Sequence, residues 1–399
     1  MYELFCRSYQ NVLKLTAYFL NWRKPKLVSG VHSLDKLPYL IKREGINHIL
    51  IITDKGIVST GLIEDFLDGL KKEKITFAIY DETVPNPTIT NIEDAYELYV
   101  QNNCKAIIAI GGGSPIDCAK VVGAKVAKPH MKVEQMKGLL KIRKEIPPLF
   151  VVPTTAGTGS EVTVAAVVTN SKTNEKYAIN DHSLIPQYAI LDPLLLVKLP
   201  PHLTAATGMD ALTHAVEAYI GRSNTRETKE CAKEAVQIIF NHLVESYENG
   251  ENIEARAKMQ RASYLAGVAF TRAYVGYVHA IAHTLGGFYH VPHGLANAVI
   301  LPYVLDGYGA SAHQSLAELA DLVGITNEND SQSVKATKFI MAIREMNKKM
   351  NIPMKISGIQ EQDIPLMVKR ALSEANPLYP VPEIWGKEKV KQIYYLIKE

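Results

Sequence analysis

The feature that most constrains this chain is a strict alternation in its first half. Short apolar runs rich in β-branched residues recur at His48–Thr53, Thr76–Tyr80 and Ala106–Ile110, and each is followed by Asp or Gly. Apolar runs without polar alternation are the pattern of strands buried on both faces. Between them, Leu62–Lys72 and Thr90–Asn102 carry apolar residues at helical spacing. The order strand, helix, strand, helix, strand implies a parallel sheet in an α/β domain. Further strands are predicted at Leu149–Val152, Ala165–Thr169 and Tyr188–Leu191.

The texture changes after Leu199-Pro200-Pro201. Thr204–Ile220, Thr228–Tyr247 and Ile253–Phe270 are long, Ala-rich and helical in period. The expected organisation is therefore two domains: residues 1–200, α/β, opening with a leader over residues 1–25, and residues 201–399, all-helical. In the leader, Leu13–Leu20 is mostly apolar, but Lys14 interrupts it and no small-residue cleavage site follows. That pattern predicts a helix docked on the protein's own surface rather than a signal peptide.

Charge narrows the function classes. Lys plus Arg number 44 and Asp plus Glu 41, a formal net charge of +3, which points away from nucleic acid and from anionic membrane surfaces. No apolar stretch approaches the roughly 20 residues of a membrane span. The four cysteines, Cys6, Cys104, Cys118 and Cys231, form no C-x-x-C pair, so reduced thiols and a cytoplasmic address are expected.

The third strand runs into Gly111-Gly112-Gly113-Ser114-Pro115-Ile116-Asp117. Glycines allow backbone amides to approach a phosphate closely, and a helix N-terminus attracts anions. Ser114 reads as an N-cap, Pro115 as the first helical residue and Asp117 as the far member of a capping box. The sequence lacks G-x-G-x-x-G, so a dinucleotide site here is a variant. Asp54 follows the first strand directly, where a carboxylate can accept hydrogen bonds from an adenosine ribose and repel a 2′-phosphate; a plain turn aspartate fits the spacing equally well. A hydroxyl- and glycine-rich loop, Thr154–Glu161, follows the strand ending at Val152.

His279, His283, His290 and His293 crowd into one short segment of a chain with 12 histidines. His279 and His283 are four apart and share a helix face, and so do Asp210 and His214. Asp210 and His214 with one pair of the later histidines make a four-ligand site of oxygen and imidazole without thiolate. Such a set suits Fe²⁺ or Zn²⁺, and spacing does not choose between them.

The segments Thr53-Asp54-Lys55, Val84–Thr88, Gly111–Asp117, Pro153–Glu161, Gly208–Glu217 and His279–Gly294 together resemble the iron-containing (group III) alcohol dehydrogenase family, from about Lys26 onward. The resemblance implies a Rossmann-like N-terminal domain joined to a helical C-terminal domain, and a homodimer or larger homo-oligomer. It implies metal ligation by Asp210, His214, His279 and His293, with Fe²⁺ expected and Zn²⁺ as an alternative. His283 becomes the extra imidazole, a candidate for relaying the alcohol proton. For NAD(H), it implies Asp54 at the adenosine ribose, Asn86 nearby, Gly112, Gly113 and Ser114 with Asp117 at the pyrophosphate turn, Thr154, Thr155 and Thr158 along the nicotinamide half, and Lys176 at a ribose hydroxyl.

The expected activity is interconversion of short primary alcohols and aldehydes by hydride transfer. Three alternatives stay open: a hydroxyacid–oxoacid transhydrogenase using Arg272 for a carboxylate, a dehydroquinate synthase-like lyase, and a non-catalytic nucleotide-binding assembly protein.

Overall fold

The computed structural model describes every residue except Phe19, Asn21 and Asn174, and of Tyr18 the backbone only. The chain forms two compact units, Trp22–Leu199, and Met1–Asn21 together with Pro200–Glu399.

Among the described residues of the unit Trp22–Leu199, nine strands are present: β1 (Lys26–Ser29), β2 (His48–Ile52), β3 (Thr76–Tyr80), β4 (Ala106–Gly111), β5 (Gly138–Leu139), β6 (Leu149–Pro153), β7 (Ala165–Asn170), β8 (Glu175–Asn180) and β9 (Tyr188–Leu191). Six form one sheet in the order β1-β9-β6-β4-β2-β3, with every pairing parallel. The four interior strands, β9, β6, β4 and β2, are buried at nearly every position, which is why their sequences are almost wholly apolar. The edge strands β1 and β3 are more exposed. The strand expected at Ala165–Thr169 forms but leaves this sheet: β7 pairs antiparallel with β8, and β5 joins β8 to complete a second, three-stranded sheet. Parallel register sets the carboxyl ends of neighbouring strands side by side, with Gly111 opposite Pro153 and Ile52 opposite Ala109.

The helices between these strands are α2 (Leu37–Arg43), α3 (Lys55–Ser59), α4 (Glu64–Lys72), α5 (Ile89–Gln101) and α6 (Gly113–Ala127), after an opening helix α1 (Tyr2–Tyr18). Ile92, Ala95 and Tyr99 of α5 and Ile116, Ala119 and Val122 of α6 pack with Leu50, Ile107 and Val151 of the sheet in one core.

The other unit is helical: α7 (Pro201–Ile220), α8 (Arg226–Glu248), α9 (Ile253–Ala273), α10 (Tyr277–Tyr289), α11 (His293–Tyr308), α12 (His313–Leu322), α13 (Gln332–Lys349), α14 (Ile364–Ala375) and α15 (Lys387–Ile397). Pro201 opens α7 at its first turn, where a missing N–H costs nothing.

The expected grouping of residues 1–200 needs correcting at its start, because α1 belongs with the helical unit. Arg7 Nη1 and Nη2 donate to the carbonyls of Val381 and Pro382 at 2.7 and 2.9 Å, and Gln10 Nε2 donates to those of Pro377 and Tyr379 at 3.0 and 2.7 Å. Cys6, on the same side of α1, is fully buried. Four carbonyls of an irregular segment thus find donors on α1, a need that no local sequence pattern announces. Among the described residues no helix is long and apolar enough to cross a membrane.

Candidate functional site

Three helices of the helical unit build a carboxylate–imidazole cluster. On α7, Asp210, His214 and Glu217 follow at i, i+4 and i+7 and so share one face, and all three are buried. Helix α10 begins at Tyr277 and presents His279 and then His283, one turn on. Helix α11 begins at His293 itself, directly after Pro292, and carries Asn297 one turn further.

Asp210 Oδ1 lies 3.8 Å from His279 Nε2 and 3.6 Å from His293 Nε2, and ligand atoms of all three residues fall within 4.8 Å of one another. His214 does not join this group of three, as the four-ligand expectation required. Its ring is sandwiched between Phe270, 4.1 Å away between centroids, and His279, 4.4 Å away, both nearly parallel to it. The next turn of α7 carries His214 alongside the trio.

His283 lies beside the cluster without entering it. Its ring stacks on His293 at 5.1 Å, and its Nδ1 is 2.7 Å from Glu374 Oε1. His290 ends α10 in a left-handed conformation, outside the trio.

Carboxylates behind the imidazoles fix their orientation. Glu217 Oε2 lies 2.6 Å from His279 Nδ1 while its Oε1 accepts from the Val278 N–H at 2.8 Å. A carboxylate on Nδ1 keeps the proton there and leaves the Nε2 lone pair facing Asp210, the tautomer that a metal ligand needs. Burial pushes the Glu217 carboxyl up to about 7, against the opposing pull of the backbone donors at Gly276, Val278 and His279. At Glu374, burial likewise opposes ionisation, but His283 and the Tyr379 hydroxyl outweigh it and hold the carboxyl below its usual range. One carboxylate oxygen and two Nε2 atoms, converging in a buried site without thiolate, fit a divalent ion of the Fe²⁺ or Zn²⁺ kind.

Sequence reading missed Glu217, Asn297 and Glu374. The first two had a signal, lying three residues after His214 and four after His293 on the same helices. Glu374 had none, being 91 residues from the His283 that it holds.

In the α/β unit, Asp54, the Gly111–Ser114 turn and the Thr154–Thr158 loop stand at the carboxyl ends of β2, β4 and β6. Asp54 caps α3, its Oδ1 accepting from the Ile57 N–H at 3.0 Å, so it serves as the turn aspartate that its spacing allowed. An added Cβ on Gly111 would also come within 3.4 Å of Asp54 Oδ2, so the carboxylate lines the glycine turn. Gly111 has φ +151, and its Cβ would meet Pro115 Cγ at 2.6 Å; a Cβ on Gly113 would meet Thr158 Cγ2 at 2.8 Å. Only glycine lets the turn sit this closely against the Thr154–Thr158 loop. Thr154 N–H donates to the Gly111 carbonyl at 3.0 Å, and Thr155 abuts Gly112.

Asn86, Ser114 and Lys176 are directly connected. The Asn86 N–H donates to Ser114 Oγ at 3.1 Å, and Lys176 Nζ donates to Asn86 Oδ1 at 2.7 Å. Two details of the turn differ from expectation. The N-cap of α6 is Gly112, which puts Ser114 inside the first turn. Asp117 closes no capping box: its oxygens accept from Ser160 Oγ at 2.6 Å and the Val167 N–H at 2.9 Å, tying α6 to the loop after β6 and to β7. Arg272, considered for a substrate carboxylate, pairs with Glu227 at 2.7 Å.

Comparison with known proteins extends over nearly the whole chain. Residues 24–193 match the family described as iron-containing alcohol dehydrogenase, and residues 204–397 match its C-terminal part, the Fe-containing alcohol dehydrogenase family, C-terminal. A 1,3-propanediol dehydrogenase of Klebsiella pneumoniae is 41% identical over 332 residues, covering 82% of this chain and 85% of its own. An NAD-dependent methanol dehydrogenase of Bacillus methanolicus is 36% identical over 369 residues, 91% and 96% of the two chains. The solved structure of an alcohol dehydrogenase from Oenococcus oeni superposes with a TM-score of 0.91 at 34% identity, covering 94% of this chain and 99% of the other. The chain belongs to the iron-containing alcohol dehydrogenase family and is an oxidoreductase.

Proposed function

We propose that this protein is an Fe²⁺-dependent, NAD(H)-linked alcohol dehydrogenase that interconverts short primary alcohols and aldehydes. The observation that carries the reading is the convergence of Asp210, His279 and His293 within 4.8 Å. In this reading those three hold the ion, His214 beside them is the fourth ligand, and Zn²⁺ is an alternative occupant. When bound, the divalent ion supplies Lewis acidity, which acidifies an alcohol and polarises a carbonyl.

The remaining work falls to the chain's own residues. Glu217 holds the His279 proton at Nδ1, and Glu374 does the same for His283. His283, partly exposed, accepts the alcohol proton at Nε2 and passes it to solvent. Asp54 accepts hydrogen bonds from the adenosine ribose. The amides of Gly112, Gly113 and Ser114 at the start of α6 take the pyrophosphate. Asn86 and Lys176 lie near the sugars, Thr154, Thr155 and Thr158 line the nicotinamide half, and Asp117 braces the turn from behind. The name of the Bacillus methanolicus relative, an NAD-dependent dehydrogenase of a one-carbon alcohol, supports NAD(H) and a small neutral substrate. The Arg272–Glu227 pair speaks against a carboxylate-bearing one. We further propose a cytoplasmic homodimer or larger homo-oligomer.

The test is anaerobic NADH oxidation by Fe²⁺-loaded protein across linear aldehydes of two to six carbons, with metal-free protein and succinic semialdehyde as controls. Turnover of a neutral aldehyde only when the ion is present is expected. Turnover of the acid alone would instead support the transhydrogenase, and no NADH consumption despite bound ion and NADH would overturn the dehydrogenase.

A further inference from the structure

Pro377, Pro380 and Pro382 punctuate the segment from Asn376 to Pro382, so no regular element forms there and most of its carbonyls need donors from outside. Those donors come from the same helical unit. Gln10 Nε2 serves the Pro377 and Tyr379 carbonyls, the Arg222 N–H serves Pro380 at 2.7 Å, and Arg7 serves Val381 and Pro382. The Tyr379 N–H donates to the Ala375 carbonyl at 2.6 Å, so the Tyr379 backbone is held on both sides.

From this anchored segment the Tyr379 hydroxyl reaches back to α14 and donates to Glu374 Oε1 at 2.8 Å. The same oxygen lies 2.7 Å from His283 Nδ1. A carboxylate oxygen has lone pairs for both donors, so the two bonds are compatible. Burial first, and then the neighbouring Glu374 charge, raise the Tyr379 phenol well above its ordinary value, and it keeps the proton that it donates. Glu374 by itself is poorly held. It stands in the last turn of α14, where the helix dipole disfavours an anion, and its side chain is 32% exposed, so water competes for it.

We propose that Tyr379 is a positioning residue for His283, acting through Glu374: its hydroxyl fixes the carboxylate, and the carboxylate fixes the orientation of the imidazole. The inference rests on the reading above in which His283 takes the alcohol proton. Without the hydroxyl, Glu374 has the freedom of an exposed glutamate, and the His283 ring turns out of line with the substrate oxygen. The loss then falls on the rate of the chemical step and not on binding.

The test is a double-mutant cycle on Fe²⁺-loaded protein. Wild type, Tyr379→Phe, His283→Ala and the combined variant are assayed anaerobically for single-turnover NADH oxidation with the linear aldehyde that wild type turns over fastest. The melting temperature and NADH affinity of each metal-free protein are recorded alongside, and the crystal structure of metal-free Tyr379→Phe is determined. His283→Ala should lower the maximal rate by roughly 100-fold or more. Tyr379→Phe should lower it about tenfold, with the KM for the aldehyde, the NADH affinity and the melting temperature close to those of wild type. In the His283→Ala background, Tyr379→Phe should change the rate by less than about twofold, because the route through which it acts is gone. In the crystal structure Glu374 should have turned away from His283.

An equal loss with and without His283 would mean that the hydroxyl acts elsewhere, and a lowered melting temperature with an unchanged rate would make Tyr379 merely structural. Either result overturns the inference, and so does a Glu374 that has not moved in the variant. An unchanged rate in His283→Ala would overturn the reading of His283 and this inference with it, whereas a loss in His283→Ala with none in Tyr379→Phe overturns the inference alone. If Tyr379→Phe does not fold, Glu374→Ala runs the same cycle, and a loss that persists without His283 removes the route on which Tyr379 depends.

Discussion

Glu217 Oε2 and His279 Nδ1 lie 2.6 Å apart, both side chains sealed from water, one on α7 and the other on α10. The pair fixes which nitrogen of His279 faces Asp210. Replacing Glu217 by Ala should therefore weaken ion binding by about 10- to 100-fold although every proposed ligand stays in place. Equilibrium dialysis against buffered Zn²⁺ checks this, and unchanged affinity would remove Glu217 from the account of the centre.

Asp210 supplies the only carboxylate of the trio. Asp210→Ala is expected to abolish turnover while NADH affinity, which the proposed reading assigns to the α/β unit, stays as in wild type. Steady-state rates alongside fluorescence titration with NADH separate the two. A joint loss of both would mean that the variant fails to fold.

In the proposed reading, Asp54 at the carboxyl end of β2 sets the cofactor preference. NADH should be favoured over NADPH by at least about tenfold, roughly 1.4 kcal/mol, because a carboxylate repels the 2′-phosphate. Asp54→Asn keeps an acceptor for the Ile57 N–H and removes the charge, so it should narrow the ratio. Equal kcat/KM for both cofactors in wild type would refute the assignment.

Gly294 follows His293, and a Cβ added there would stand 2.2 Å from the carbonyl oxygen and 2.7 Å from the carbonyl carbon of Ala206. Both are backbone atoms of α7 and cannot swing aside, so α11 must move away and carry His293 with it. Gly294→Ala should cost about 1–3 kcal/mol or more and lower ion occupancy as well. Thermal denaturation and metal analysis of the purified variant test the two effects separately.

Glu161, in the loop after β6, is buried, and burial pushes its carboxyl up to about 7, with its own backbone N–H and Lys120 opposing. The native state then binds more protons than the unfolded chain between the ordinary carboxylate value of about 4.3 and about 7. Its contribution to stability is fully present below that window and is lost as pH rises through it. Glu161→Gln should flatten the fall in melting temperature from pH 5 to pH 8, about the span in which the group titrates. Scanning calorimetry across that range decides it, and parallel wild-type and variant profiles would exclude Glu161 as the cause.

Much of this protein was legible along the chain. The strands at His48, Thr76, Ala106, Leu149 and Tyr188 formed where unbroken apolar runs stood, and the helices after Pro201 formed where the period was helical, because both patterns record burial on a local lattice. The crowding of His279, His283, His290 and His293 and the i, i+4 pairing of Asp210 with His214 marked a candidate site along the chain, and the family resemblance chose His279 and His293 among the four. What the sequence did not announce was set by contacts between distant segments. Strand β1 has only four residues and lies on an edge, and β8 became a strand by pairing with β7 outside the main sheet. Helix α1 joined the helical unit through carbonyls at residues 377–382. His214 stacked on His279 and Phe270, Arg272 went to Glu227, and Asp117 turned inward to Ser160 and Val167. Periodicity tells a side chain which face of its own element it occupies. Which donor, ring or carboxylate waits on the neighbouring element is decided only when the elements pack, since hydrogen bonds and stacking act across about 3–5 Å of space and take no account of separation along the chain.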